Sequence, residues 1–295
     1  MHPFKPDEYT LSLEAPAKLN LFLHINRQRP DGYHELQTVF QLLDRGDTLH
    51  FSARDDAEIN LSPAFEGLRC EDNLIYRAAL KLREHCGIKL GANIYIEKRL
   101  PAGGGVGGGS SDAATTLLGL NYLWNCGLSL DQLAEIGLTL GADVPVFVRG
   151  HSAFAEGIGE NLQPIELVEN WFVVLRPNCH VSTAEIFSNQ LLTRDTPKIK
   201  IAPASEGQDF GHYRNDCEAV ATKLYSEIRD TINWLNQFGN GRLTGTGACC
   251  FCSVESKTKA EQILNEAQSK FEGFIAKGVN LSPAHEGLMK LKGLQ

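Results

Sequence analysis

PAGGGVGGGSSDAATTL, residues 101–117, places six glycines in the seven positions from Gly103 to Gly109 and follows them with Ser110, Ser111, Asp112 and a run of good helix formers. The residues before it, NIYIEKRL (93–100), alternate as a strand does. Strand, glycine loop and helix therefore follow one another without filler. Without Cβ atoms, successive backbone N–H groups can turn toward an anion and a phosphate can approach the main chain. The helix start adds unpaired donors and a partial positive charge. The segment is predicted to cradle phosphate.

Several loop types could do this. The P-loop pattern G-x-x-x-x-G-K-[ST] fails, because Ser110 and Ser111 stand where its lysine should be. The dinucleotide pattern G-x-G-x-x-G matches at Gly103, Gly105 and Gly108, but a run this rich in glycine matches almost automatically. About a hundred residues precede the loop, and 123–135 read as loop and helix start rather than a strand ending in an acid. The V-A-I-K and H-R-D motifs of protein kinases are absent. A flexible linker would carry Ser and other polar filler, not an abutting strand and helix.

Working outward, AKLNLFLHIN (17–26) sets Leu19, Leu21, Leu23 and Ile25 on one side and Lys18, Asn20, Phe22 and His24 on the other, the period of a half-buried strand. Asp31-Gly32 predicts a turn that releases Tyr33 and His34 into a second extended run. EDNLIYRAALKLREHCG (71–87) predicts a helix capped by Asp72 and stopped at Gly87. Ser129 and Gln132 form a capping box for a helix reaching Gly141, and VPVFV (144–148) reads as a strand. Beyond about residue 158 come strand 171–175, a Pro-containing loop 193–213, one long helix 215–238, strand 243–254 and a last strand, GFIAKGVN (273–280). The division expected is 1–158 and 159–295, with the last strand free to return to the first domain. The near-identical LSPAFEGL (61–68) and LSPAHEGL (281–288) are too few for a repeat array.

At 295 residues, 42% hydrophobic and 22% charged, the chain is long and apolar enough for two cores. Its net charge of −8 is spread over both halves with no basic block, which speaks against nucleic acid as a partner. The N-terminal stretch resembles neither a signal nor a transit segment, and the longest apolar runs are too short for a membrane helix. Eight cysteines suit a reducing compartment, so a cytoplasmic protein is expected. Cys249-Cys250-Phe251-Cys252 has no second ligand pair for zinc and continues a strand, so buried small residues are the better reading.

The loop resembles the second motif, P-x-x-x-G-L/V-G-S-S-A-A, of the galactokinase, homoserine kinase, mevalonate kinase and phosphomevalonate kinase superfamily. Pro101, Gly107 to Gly109, Ser110, Ser111, Ala113 and Ala114 stand in its roles, with Asp112 inserted. The other two motifs match APAKLNLFLHI (15–25) and LTGTGACC (243–250). RPDGYHELQTVF (29–40), LGADVPVF (140–147), FAEGIGE (154–160) and RNDCE (214–218) tighten the resemblance to one branch, whose members phosphorylate the C2 hydroxyl of 4-diphosphocytidyl-2-C-methyl-D-erythritol with ATP and Mg²⁺.

The resemblance implies an α+β, two-domain small-molecule kinase, ribosomal-protein-S5-like at its N-terminus and ferredoxin-like at its C-terminus, with the active site between. It implies that Asp143 accepts the hydroxyl proton beside Lys18, that Tyr33 and His34 hold the cytidine ring, and that Asn20 and Thr183 contact substrate. Pro101, Gly103, Gly104, Gly105, Gly107, Gly108, Gly109, Ser110 and Ser111 would hold ATP, with Asn73 and Lys98 near the nucleotide. Read from the residues alone, Asp143 could simply end a helix, Lys18 be a solvated strand lysine and Tyr33-His34 ordinary strand residues. A helix start and a snorkelling lysine equally explain Asn73 and Lys98.

Overall fold

A long antiparallel hairpin, β1 (Leu11–Gln28) and β2 (His34–Arg54), runs from Leu11 opposite Phe51 to Gln28 opposite His34. The Asp31-Gly32 turn closes it as expected: Gly32 takes φ 88° and Tyr33 N donates to Asp31 Oδ1 at 3.1 Å. β1 is not half-buried, however, because Leu19, Phe22 and Ile25 are buried together with Lys18, Asn20 and His24. Register shifts at Pro16/Lys18, Asn20/Leu23 and Ile25/Arg27 interrupt strict alternation. The strand also crosses several cores: Leu11 and Leu13 lie in one, Ala17 and Leu19 in a second, Leu23 and Ile25 in a third. The computed structural model describes residues 8–65, 67–200 and 210–293. Most of the N-terminal decapeptide, Glu66 of LSPAFEGL and the middle of the 193–213 loop lie outside the described residues.

β3 (Ile59–Ser62), α1 (Leu74–Cys86) and β4 (Gly91–Glu97) form a parallel crossover, and β4 pairs antiparallel with β2. Asn73, not Asp72, caps α1, accepting from Ile75 N at 2.9 Å; Asp72 sits in a short 3₁₀ turn and pairs with Arg69 at 2.7 Å. Gly87 ends the helix at φ 63°. The glycine loop leads into α2 (Gly108–Leu123), and Ser129 and Gln132 make both bonds of the predicted capping box on α3 (Leu130–Leu138).

Residues 144–148 form a helix, α4 (Val144–Arg149), rather than the expected strand. All five side chains from Val144 to Val148 are buried, so the run carries no period to distinguish the two. Pro145 fits its first turn, and the helix packs between α2 and α3. β5 (Ala153–Glu156) pairs with β2, and β6 (Asn161–Pro164) with β5.

A second antiparallel group follows in the order β8 (Arg242–Leu243), β9 (Cys250–Val254), β7 (Trp171–Arg176) and β10 (Glu272–Val279). Val173 and Leu175 of β7 face α5 (Thr183–Ser188), α6 (Glu218–Leu224), α7 (Ser226–Leu235) and α8 (Lys257–Ala267), while Phe172 and Val174 face β1 and the glycine loop. A strand covered on both sides reads as a continuous apolar run. The single helix expected over 215–238 is two, broken at the extended Tyr225, whose hydroxyl reaches Glu185 on α5. The end of β10 pairs with β2 through Gly278–Leu43 and Val279–Leu42, and α9 (Pro283–Leu291) packs against β1. Cys249, Cys250 and Cys252 are buried thiols, and burial raises the pKa of each.

Candidate active site

A cavity of about 780 Å³ opens where the hairpin, the glycine loop, the start of α4 and the β8–β9 turn converge. The loop reaches it with Gly103, Gly105 and Gly107 at φ 68°, 73° and 75°. Two of these positions need glycine because protein presses against them. A Cβ on Gly105 would stand 2.5 Å from Thr244 O, and one on Gly107 would stand 2.8 Å from the Phe147 ring and 3.1 Å from Lys18 Cγ. Gly109, in the first turn of α2, meets nothing nearer than Leu74 Cδ1 at 3.6 Å and faces the cavity. Ser110 lines the cavity; Ser111 does not, being buried with a hydroxyl that has no partner among the described residues.

Lys18 is 3% exposed, and its ammonium reaches the cavity among three oxygen partners. It donates to Asn20 Oδ1 at 2.6 Å and to Gly105 O at 3.0 Å, and it stands 3.3 Å from Asp143 Oδ2. Asn20 is held in turn, donating from Nδ2 to Thr38 Oγ1 at 2.9 Å and from its backbone N to Thr244 Oγ1 at 3.0 Å. Asp143 occupies the N-cap position of α4, yet its side chain makes no capping bond. Its carboxylate is 35% exposed and lines the cavity beside Lys18.

Lys98 is not a snorkelling side chain. It donates to Asp47 Oδ2 at 2.5 Å and Asp112 Oδ2 at 2.7 Å. Burial works against its ammonium, but Asp112 and Asp47 outweigh that and hold its pKa above the usual lysine value. Burial pushes the Asp112 carboxyl up to about 7 against the pull of Lys98. Asp47, fully buried, also accepts from Arg99 N at 2.6 Å and Leu100 N at 2.7 Å, and so orients the strand end that carries Lys98. Sequence reasoning missed Asp47, one of two acids in the polar stretch Asp44-Arg45-Gly46-Asp47 of β2, which carries no local signal that sets it apart. Asn73 lines the cavity but spends its side-chain oxygen on the helix cap.

At the other end, Tyr33 stands at the rim, 60% exposed, while His34 is buried beneath it. Burial first, and then the Arg194 charge, lower the His34 pKa. Thr183 Oγ1 lies 3.0 Å from Thr246 Oγ1 in the β8–β9 turn, which brings α5 to the cavity. One turn further, the Phe187 ring lies 5.0 Å from that of His34, a neighbour no local motif announced. Asn215, also missed, donates to Leu243 O at 3.0 Å and Gly245 O at 2.8 Å and holds that turn.

Residues 73–151 match the GHMP kinases N terminal domain and residues 201–273 the GHMP kinases C terminal domain. The 4-diphosphocytidyl-2-C-methyl-D-erythritol kinase of Hahella chejuensis is 57% identical over 282 residues, covering 93% of this chain and 95% of that protein. The chain belongs to this kinase family. The Marinobacter nauticus member is likewise 57% identical, over 96% of this chain and 99% of its own. A crystal structure of 4-(cytidine 5'-diphospho)-2C-methyl-D-erythritol kinase superposes with TM-score 0.78 at 29% identity, covering 92% of this chain and all of that one. The Methanococcus jannaschii mevalonate kinase, at 18% identity and TM-score 0.67, shares the fold over 92% of this chain and 98% of its own. The two-domain α+β fold is thus that of the GHMP kinases, and the chain is a small-molecule kinase. Kinases of this family use ATP, and the cavity is shaped accordingly, with a glycine cradle at one end and an aromatic rim at the other.

Proposed function

We propose that the protein transfers the γ-phosphoryl group of ATP to the C2 hydroxyl of 4-diphosphocytidyl-2-C-methyl-D-erythritol, yielding ADP and the 2-phosphate. The Lys18–Asp143 contact of 3.3 Å carries this reading, because it sets a carboxylate and a cation between the glycine cradle and the aromatic rim. Phosphoryl transfer asks the protein mainly to position the reactants and stabilise charge. Asp143 takes the hydroxyl proton, and Lys18 stabilises the oxygen as it becomes an alkoxide. Because Lys18 also holds Gly105 O, the same ammonium ties the acceptor site to the loop that grips phosphate. Asn20 and Thr183 orient the acceptor, while Tyr33 and His34 hold the cytosine by an aromatic face and a ring nitrogen.

The loop from Pro101 to Ser110 and the α2 N-terminus hold the phosphates, with Lys98 and Asn73 on the nucleotide side. The Ser110 hydroxyl at the cradle suits Mg²⁺, which favours oxygen ligands and retains substrate phosphates among them, and leaves Asp143 to the acceptor. Among the described residues no three His, Cys, Asp or Glu side chains converge into a metal site, so the ion would enter with ATP and shield its phosphate charge. We assign residues 1–158 to the nucleotide-cradling domain and 159–295 to the second, with β6, the end of β10 and α9 returning to the first. ATP as donor and eight free cysteines support a cytoplasmic location. No helix among the described residues is long and apolar enough to cross a membrane.

ADP release measured with the cytidyl substrate, mevalonate, homoserine and galactose tests the assignment. Turnover should be confined to the first; equal turnover with mevalonate would overturn it.

A further inference from the structure

Arg194, in the segment after α5, has every arm of its guanidinium engaged. Nη1 donates to Leu192 O at 3.1 Å, and Nη2 donates to Phe187 O at 2.7 Å and Asn189 O at 3.0 Å. The remaining arm, Nε, donates to His34 Nε2 at 3.1 Å. A guanidinium keeps its protons and has no acceptor, so this bond requires a lone pair on Nε2. An imidazolium has none. His34 is therefore neutral, with its proton on Nδ1. Burial and the guanidinium charge both favour that neutral form. Nδ1–H is left as a donor on a ring that lines the cavity, and it has no protein partner among the described residues.

We propose that Arg194 is a positioning residue that sets the tautomer of His34, and that the site thereby selects cytosine over uracil. The inference rests on the functional reading above. Cytosine N3 carries a lone pair, which a donor at Nδ1 satisfies. Uracil N3 carries a hydrogen, so the two N–H groups would face each other and both would go unpaired, the mismatch that a desolvated polar site rejects most strongly. The opposite tautomer, with its proton on Nε2, would present an acceptor and reverse the preference. Arg194 also fixes the carbonyls of Phe187 and Asn189, so one side chain holds the proton of His34 and the end of the helix whose aromatic ring stands beside it. No sequence pattern announces this, because Arg194 and His34 lie 160 residues apart.

Two measurements test the proposal. Long-range ¹H–¹⁵N correlation spectra of histidine-labelled enzyme report the His34 tautomer, the signal being assigned by its loss in His34→Asn. The wild type should show Nδ1–H without any substrate, Arg194→Lys should retain it, and Arg194→Met should shift toward Nε2–H. Competition between the cytidyl substrate and its uridyl analogue should give a kcat/KM ratio on the order of 10² or more in the wild type. The ratio should fall about tenfold or more in Arg194→Met, through KM for the cytidyl substrate with kcat largely kept. A wild-type His34 protonated on Nε2, or a ratio unmoved in Arg194→Met while the tautomer shifts, would overturn the proposal. If Arg194→Met does not fold, the wild-type and Arg194→Lys spectra and ratios decide it. Failure of the functional reading shows separately, as a wild type that releases no ADP with either substrate while His34 still carries its proton on Nδ1.

Discussion

Lys18 and Asp143 form a pair in which one partner is buried and the other half-open, 3% against 35% exposed. That asymmetry makes their substitutions distinguishable. Asp143→Asn keeps the shape, removes the charge and disturbs no helix cap, so kcat should fall about 10²- to 10⁴-fold with both KM values and the melting temperature little changed. Lys18→Met strips an ammonium from Gly105 O and Asn20 Oδ1 as well, so ATP binding should weaken along with the rate. The double variant should be far less than multiplicatively worse, because the two groups act as a unit. Steady-state kinetics and calorimetric binding separate these outcomes, and near-normal turnover in Asp143→Asn would remove the base from the mechanism. At this scale Asp143 was legible as an acid at a junction, but its use was not, since the choice between capping and catalysis lies with a lysine on another strand.

Among the elements, the glycine loop divides into positions pressed by protein and positions open to ligand. Gly107→Val would drive a side chain into Phe147 and Lys18 at a residue with φ 75°, so it should unsettle the fold as well as the nucleotide site. Gly109→Val is the cleaner probe: its Cβ has room at 3.6 Å from Leu74 Cδ1, and the branched side chain narrows the cradle alone. ATP affinity measured by titration calorimetry should drop at least tenfold while the thermal transition moves little. Unchanged affinity would place the phosphates elsewhere. The glycine run showed that main chain is approached closely at this loop, but not that Thr244 and Phe147 do part of the approaching.

Across the whole molecule, α9 carries the end of the chain back onto the first core, and His285 is half-buried at that contact. Its Nε2 lies 2.9 Å from Val148 O, its Nδ1 has no partner among the described residues, and burial pushes its pKa down to about 4. The folded state thus holds the neutral ring, while an unfolded histidine titrates near 6.5. Between these values the unfolded chain binds more protons, so stability rises with pH and is lost as pH falls from about 6.5 to about 4. At about 1.4 kcal/mol per unit, the loss from this group is about 3 kcal/mol. The Asp112 carboxyl, raised to about 7, contributes in the opposite sense over the same range, so the His285 contribution is read by difference: in urea unfolding from pH 4.5 to 7, stability should rise less with pH in His285→Gln than in the wild type, and an equal slope in the two would assign the acid sensitivity to other groups. Residues within a turn of one another determined by themselves the Asp31-Gly32 turn, the Ser129 capping box and the Gly87 stop, because those structures are closed by near neighbours. Tertiary structure alone decided the rest. The run from Val144 to Val148 has no period, so packing between α2 and α3 made it a helix. β1 is buried on both faces because three cores meet along it, and Asp47 serves Lys98 from 51 residues away because β2 and the end of β4 lie side by side. Contacts between residues far apart in the chain leave no local signature: they depend on where several elements happen to converge, and only the packed chain specifies that.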